Sequence, residues 1–325
     1  MNKTECFRPE NESGHGKKRR IGELDFLKGI LILLVIAFHL VYFSTTYPYA
    51  KQVVYTFHMP AFLLISGYLM NFEKGVPGML HTFLWLLVPY VVMESGYVAM
   101  ASILPIREHI EGLTVGVFID KLLLHPLGPY WYLHTLLMCG VLWTILRSLK
   151  FIGLPVKVLV YIAIALLLGA LKIVTPACAL YFLAGVVLRG LRVNFVGFFG
   201  GGLVALLLWA FLITDGAHLD MATPIGALIV YAFIGAAFFL YRHFPSAGRQ
   251  LLAFLGRNSL HLYLFSPIFT ILCKYLVPFL AFDATAMVFL VLSLFICVVG
   301  SLAIARVLEL IGVARYMFGR ERLIS

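Results

Sequence analysis

The chain has 325 residues, of which 62% are hydrophobic and only 12% are charged. Soluble domains contain about 45–50% apolar and about 25% charged residues, so this composition excludes a water-soluble globular protein and indicates a polytopic membrane protein. The net charge of +10 does not indicate nucleic-acid binding, because most basic residues stand at the ends of apolar segments, where membrane topology explains them.

The apolar segments predict about ten transmembrane helices, because most approach the roughly 20 residues that cross a bilayer. The apolar runs are continuous and do not alternate, which favours helices over barrel strands. The sequence therefore predicts an all-α integral membrane protein. The predicted spans, in chain order, are residues 26–45, 52–70, 80–104, 130–147, 154–172, 177–190, 195–214, 222–241, 258–277 and 285–311.

The placement of lysine and arginine predicts the orientation. With the N-terminus inside, 20 of the 25 basic residues lie on inner segments. The positive-inside rule then predicts that both termini face the cytoplasm. We therefore expect a multi-pass protein of the cell membrane, in contact with the lipid bilayer. Residues 1–20 are polar and basic and predict a disordered cytoplasmic tail, and residues 21–325 predict a single polytopic membrane domain. The outer basic residues are Lys51, Arg107, Lys121, Lys172 and Lys274.

The cysteines do not predict a metal site. There are five of them, widely separated, and none stands in a CxxC or Cys/His ligand spacing. The sequence therefore predicts neither a disulfide framework nor a zinc site. It carries no signal for the oligomeric state.

Lys28 and His39 are separated by ten residues without an ionisable group. On a helix, eleven residues rise roughly 16 Å in about three turns, so both side chains lie on one face. If Lys28 lies at the inner rim, His39 lies near the middle of the bilayer, where an ionisable group is a functional candidate. Asp25, one turn before Lys28, is expected to pair with it.

The second span carries another histidine, His58, and runs in the opposite direction to the first. His58 enters from the outer side and His39 from the inner side, so we expect the two imidazoles to meet in the outer half of the bilayer. Ser66 and Tyr68 then fall near the inner face.

Further polar candidates follow in the third and fourth spans. Glu94 is a mid-span carboxylate that needs a partner, and a link to a histidine is one expectation. Trp131 and His134 lie near the outer end of the fourth span, as part of a substrate site or of an ordinary interfacial aromatic belt. The preceding connection, residues 105–129, is either a lid or acceptor-binding loop or a solvated loop.

Four segments together resemble the membrane acyltransferase 3 superfamily. The resemblance extends over about residues 22–275 and includes elements of its fucose 4-O-acetylase-like branch. The segments are DFLKG at 25–29 followed by His39, FHMP at 57–60 followed by SGY at 66–68, PYWYL at 129–133, and GRNSLHLYL at 256–264.

The resemblance implies an O-acyltransferase that uses cytoplasmic acyl-CoA as co-substrate, without a bound cofactor, and acylates a hydroxyl of a surface or secreted carbohydrate. A neutral imidazole can deprotonate such a hydroxyl or accept the acyl group. We therefore expect His39 and His58 to be catalytic, and Lys28, Ser66 and Tyr68 to bind acyl-CoA. Acceptor-binding or supporting roles are expected for Asp25, Glu94, Trp131 and His134.

Two departures from the family pattern stand in this chain. Relatives usually carry basic residues after SGY, where this chain has His81, Thr82 and Trp85, and the late segment commonly ends in a histidine, where this chain has Ser266.

The alternative function is a multi-span transporter of a polar or anionic solute with His39 and His58 as a proton relay. A transporter should show broken helices and a solute path of charged groups at mid-membrane, and pairs of facing carboxylates are missing from the predicted spans.

Overall fold

The computed structural model describes residues 21–70, 75–103 and 108–325, and these residues form helices without any strand. The predicted tail at 1–20 lies outside the described residues. The helices in the first half are α1 (Gly22–His39), α2 (Val41–Thr46), α3 (Pro48–Tyr68), α4 (Val76–Ile103), α5 (Val115–Leu123), α6 (Trp131–Ser148), α7 (Leu154–Ala170) and α8 (Pro176–Gly190). Those in the second half are α9 (Phe195–Phe199), α10 (Gly202–Leu212), α11 (Pro224–His243), α12 (Ser246–Arg257), α13 (Ser259–Leu272), α14 (Val277–Leu280), α15 (Met287–Leu310) and α16 (Ala314–Phe318). Short 3-10 helices connect them at Gly128–Tyr130, Gly216–His218 and Cys273–Leu276.

The all-helical prediction is confirmed for the described residues. By length and composition, four of their helices can cross a membrane: Val76–Ile103, Pro224–His243, Ser259–Leu280 and Met287–Leu310. The ten-span count and the orientation of the termini remain predictions.

Two predicted spans are interrupted. The span at 26–45 breaks at Leu40, whose backbone is extended (φ −72, ψ 102), so that α1 ends at His39 and α2 starts at Val41. The span at 195–214 breaks at residues 200–201 between α9 and α10. Non-helical backbone within a membrane is tolerated where it is buried in protein or lines a cavity, and His39 does line one.

Helix α12 was not predicted as a helix, because its residues are too polar for a membrane span. It packs against the first half of α1 through two glycines. A Cβ atom at Gly29 would lie 2.0 Å from the carbonyl oxygen of Leu252, and one at Gly256 would lie 1.7 Å from that of Asp25. Only glycine permits this backbone contact. Gly29 therefore holds α1 against α12 at the position next to Lys28.

A second pair of glycines joins α3 to α8. A Cβ atom at Gly67 would lie 2.1 Å from the carbonyl oxygen of Phe182, and one at Gly185 would lie 2.0 Å from that of Leu64. The glycine of the SGY segment is therefore a packing residue. Together the two pairs hold in place the helices that carry Lys28, His39 and His58.

Replacing Gly67 by alanine is expected to destabilise the protein, because the methyl group must displace the backbone of α8. Overpacking of this kind costs about 1–3 kcal/mol, and here the neighbour is backbone and not a flexible side chain. The measurement is thermal unfolding of the purified protein in detergent. Gly96→Ala is the control, since a Cβ at Gly96 in α4 meets nothing within 4 Å. Equal unfolding temperatures for the two variants would contradict the prediction.

Candidate active site

The two histidines line one cavity. Helix α3 runs antiparallel to α1, so that His58 in α3 lies near His39 at the end of α1, and both border a cavity of about 560 Å³. We call it the histidine cavity. Trp131 at the start of α6 also lines it. The predicted convergence of the two helices is therefore present in the structure.

Backbone contacts orient both imidazoles in the same way. The Nδ1 atom of His39 lies 2.6 Å from the carbonyl oxygen of Val35, and that of His58 lies 2.7 Å from the carbonyl oxygen of Val54. A carbonyl oxygen only accepts, so these contacts assign the hydrogen to Nδ1 in each ring. Each Nε2 then carries a lone pair, as a proton-accepting base requires.

A second cavity lies at the other end of α1. It has a volume of about 200 Å³ and is lined by Lys28, Ser66 and Ser259, among others. We call it the Lys28 cavity. The Lys28 ammonium pairs with Asp25 at 2.7 Å, as expected, and the Ser66 hydroxyl lies 3.0 Å from that of Tyr132. The structure thus brings Lys28 and Ser66 together.

The Lys28 cavity and the histidine cavity adjoin. Val35 of α1, Met59 of α3 and Tyr263 of α13 line both of them. We call these three residues the neck. A ligand entering beside Lys28 therefore faces His39 across the neck, along the helix that carries both residues.

Tyr68 lines neither cavity. Its hydroxyl donates to the carbonyl oxygen of Val193 at 3.0 Å and accepts from the amide of Phe195 at 3.4 Å, while the Arg189 guanidinium lies over its ring, 5.7 Å from the centroid. These contacts hold the connection between α8 and α9. Tyr68 therefore supports the fold of this end of the molecule and does not face the Lys28 cavity.

Glu94 and His134 form hydrogen bonds to backbone at the end of α5 and in the connection to α6, and among the described residues neither forms a hydrogen bond to His39 or His58. Glu94 Oε1 accepts from the amide of Leu127 at 2.6 Å, and His134 Nε2 donates to the carbonyl oxygen of Leu123 at 2.9 Å. The expected link between Glu94 and a catalytic histidine is therefore absent from these contacts. Both residues hold the backbone of the segment 122–129 through these hydrogen bonds.

Other side chains bind the same segment. The Tyr90 hydroxyl donates to the carbonyl oxygen of Leu122 at 2.7 Å, Glu108 Oε2 accepts from the amide of Gly128 at 2.6 Å, and the Tyr263 hydroxyl donates to the carbonyl oxygen of Pro129. Pro129 and the following Trp131 line the histidine cavity. Residues 122–129 thus form a wall leading into α6, held by five side-chain hydrogen bonds to their backbone.

Replacing Glu94 by leucine is expected to increase local opening of the wall at Leu127, because it removes the hydrogen bond to the Leu127 amide. The half-buried Leu127 amide would lose its charged acceptor, and a hydrogen bond to a charged group contributes about 1.5–3 kcal/mol. Amide hydrogen exchange at Leu127 should therefore accelerate. Glu111→Leu is the control, because Glu111 is exposed in the same connection and should leave that exchange rate unchanged. Unaltered exchange in Glu94→Leu would show that the wall does not depend on this carboxylate.

Several polar residues of the histidine cavity were not predicted from the sequence. Lys51, Gln52 and Thr56 project from the first turns of α3, and Asp220 comes from the connection between α10 and α11. Lys51 stands seven residues before His58, which is two helical turns, so its position on the same face could have been found from spacing. Asp220 has no comparable signal, because only the tertiary fold brings it near α3.

Comparison with known proteins identifies the family of the chain. A family model described as an acyltransferase domain, that of the acyltransferase 3 family, matches residues 21–306. The chain is also 31% identical over 180 residues to Nodulation protein NolL of Sinorhizobium fredii (strain NBRC 101917 / NGR234). That alignment covers 49% of this chain and 45% of the relative, so the chain spans less than half of the relative's length. No solved structure matches the chain significantly. The resemblance seen in the sequence is thus confirmed, and the chain belongs to the membrane-embedded acyltransferase 3 family.

Proposed function

We propose that this protein is an O-acyltransferase of the cell membrane, which moves an acetyl or other acyl group from cytoplasmic acyl-CoA to a hydroxyl of a surface or secreted carbohydrate. The observation that carries the proposal is the pair of adjoining cavities along α1, one beside Lys28 and the other beside His39 and His58. A membrane-embedded acyltransferase needs such a passage when its donor and acceptor come from opposite sides.

The Lys28 cavity is proposed to receive the donor. At about 200 Å³ it is smaller than the roughly 300–1,000 Å³ that encloses a drug-sized ligand, so it suits the pantetheine arm and thioester and not the whole coenzyme. The nucleotide would remain at the cytoplasmic opening. There the Lys28 ammonium can bind a phosphate group, sharing its charge between the phosphate and Asp25.

The histidine cavity is proposed to receive the acceptor. Its volume of about 560 Å³ accommodates a sugar unit. Trp131 offers an apolar ring, and Gln52 and Asp220 offer an amide and a carboxylate that can bind hydroxyl groups. An aromatic ring among hydrogen-bonding side chains fits a carbohydrate better than it fits an apolar or a small inorganic solute.

The reaction then proceeds from His39. Its Nε2 takes the proton of the acceptor hydroxyl while the hydroxyl oxygen attacks the thioester carbonyl carbon. The new C–O bond forms, the C–S bond breaks, and the departing thiolate takes the proton from the imidazolium. The products are the ester and free CoA, and His39 is regenerated. His58, facing the same cavity, is proposed to orient the acceptor or to serve as a second base.

The proposal is tested in inverted membrane vesicles supplied with acetyl-CoA labelled in the acetyl group. Label should appear in an ester on carbohydrate, and solute uptake without acyl transfer would favour the transporter alternative and contradict the proposal.

Rapid quenching with labelled donor and no acceptor distinguishes direct transfer from an acyl-histidine intermediate. Label bound to the protein would argue for the intermediate.

Lys28→Gln is expected to raise the KM for acyl-CoA about tenfold with a smaller effect on kcat, because a charge-assisted contact to phosphate contributes on the order of 1.5–3 kcal/mol. Lys28→Arg should retain most of the affinity. Lys150→Gln is the control, since Lys150 is exposed and lines none of the described cavities. An unchanged KM in Lys28→Gln would remove Lys28 from the donor site.

A further inference from the structure

A third cavity adjoins the histidine cavity on the other side of His39. Its volume is about 280 Å³. It is lined by residues from α1, α2, α3, α4 and α13, from the connection before α6, and from the 3-10 helix Cys273–Leu276. We call it the Lys274 cavity. It shares His39, Lys51, Tyr55 and Pro129 with the histidine cavity. An acceptor whose hydroxyl lies at His39 can therefore extend a substituent into the Lys274 cavity.

Two cations border this third cavity. Lys51 and Lys274 both line it, and neither forms an ion pair within residues 21–70, 75–103 and 108–325. The Lys51 ammonium lies over the Tyr55 ring, 5.5 Å from its centroid. The carboxylate lining the cavity, Glu108, already accepts from the Gly128 amide. Because Glu108 keeps its negative charge when it accepts from an amide, the lining carries two ammonium groups and one carboxylate, and its net charge is positive.

Membrane topology does not account for these lysines. On the predicted orientation they belong to the outer side, which carries only five of the 25 basic residues of the chain. The positive-inside rule favours basic residues on the other side. Two of these five, separated by more than two hundred residues in sequence, nevertheless line one small cavity next to His39. A bound anion explains this convergence.

We propose that the Lys274 cavity binds an anionic substituent of the acceptor, a carboxylate or a phosphate, so that the enzyme prefers acidic carbohydrates. The inference rests on the proposed function, since it names the acceptor class of that same site. Charge-assisted hydrogen bonds from ammonium groups are stronger than neutral ones. Since the Lys274 side chain is exposed, their electrostatic contribution is screened by salt.

The test compares acceptors that differ only in charge. The probes are methyl glucuronoside and methyl galacturonoside against methyl glucoside and methyl galactoside, with glucose 6-phosphate as the phosphate arm. Both acyl transfer and binding to the purified protein are measured. We expect the acidic probes to bind about tenfold tighter and their advantage to fall at high salt. Equal binding of acidic and neutral probes, or no binding of either, overturns the inference.

The lysine variants separate this inference from the proposed function. Lys274→Gln should lower the ratio of kcat/KM for acidic over neutral probes about tenfold, and Lys274→Glu should reverse the preference. Lys172→Gln, at an exposed outer lysine that lines none of these cavities, should leave the ratio unchanged. Acyl transfer with an unchanged ratio in Lys274→Gln would refute the acidic acceptor alone. Absence of acyl transfer to any acceptor would instead refute the proposed function.

A second test distinguishes an anionic substituent of the acceptor from the phosphate of a membrane lipid. Vesicles of phosphatidylcholine are compared with vesicles that contain phosphatidylglycerol. An acceptor site should keep its preference for acidic probes in both. If phosphatidylglycerol abolishes the preference, the cavity binds a lipid phosphate and the proposed acceptor class is wrong.

Discussion

His39→Ala is expected to lower the rate of acyl transfer by about 10²–10⁴, the usual contribution of a positioned general base. The expectation follows from the position of Nε2, which carries the lone pair while Nδ1 donates to the carbonyl oxygen of Val35. The measurement is single-turnover transfer of labelled acetyl from acetyl-CoA, in a purified protein whose thermal unfolding is recorded in parallel. His39→Gln, which retains a polar side chain but no base, should lose as much.

His243→Ala is the matched control for His39→Ala. The Nδ1 atom of His243 contacts the carbonyl oxygen of Phe239, four residues earlier, at 2.9 Å, so it repeats the local bonding of His39. His243 is, however, exposed at the end of α11 and lines none of the described cavities. Its removal should leave acyl transfer unchanged. If His39→Ala retained more than about a tenth of the activity, general-base catalysis by His39 would be wrong.

His58→Ala separates the two histidines. If His58 orients the acceptor, the variant should raise the KM for the acceptor more than it lowers kcat. Residues that act as one unit are not additive, so the double variant of His39 and His58 should be little slower than His39→Ala alone. A double variant that loses the product of the two single effects would indicate that each histidine acts independently.

The sequence predicted the central geometry because helical periodicity determines it. Lys28 and His39 share a face of one helix, and an antiparallel neighbour brings His58 toward His39, so the two ends of the candidate site follow from spacing alone. Continuous apolar runs also predicted the all-helical fold. The end of α1 directly after His39 was not predicted, since no proline or glycine stands near Leu40 to indicate a break.

The remaining parts depend on contacts that no spacing encodes. Glu94 and His134 bind backbone groups of the segment 122–129, and a backbone partner leaves no residue-specific signal in sequence. The same holds for Tyr68, whose hydroxyl contacts Val193. Helix α12 was not predicted because its residues are too polar for a membrane span, although it packs against α1 at Gly29.

The neck between the cavities gives the second large effect. Val35→Phe is expected to abolish acyl transfer while acyl-CoA still binds, because a phenyl ring at this position obstructs the path from the Lys28 cavity to His39. Val35 is 4% exposed, and overpacking at a buried position costs about 1–3 kcal/mol, so unfolding is measured alongside. Val204→Phe is the control for the same change of side chain, since Val204 in α10 is 73% exposed and distant in sequence from the neck.

Widening the neck distinguishes obstruction from simple destabilisation. Met59→Ala removes bulk where the two cavities meet, so the site should accept longer acyl chains, seen as a higher ratio of kcat/KM for butyryl-CoA over acetyl-CoA. A loss of stability lowers both values together and cannot raise their ratio. If Met59→Ala leaves the ratio unchanged while Val35→Phe is inactive, the neck is a packing contact and the acyl group reaches His39 by another route. A raised ratio together with an inactive Val35→Phe would mean that the acyl chain passes between Val35 and Met59 on its way from Lys28 to His39.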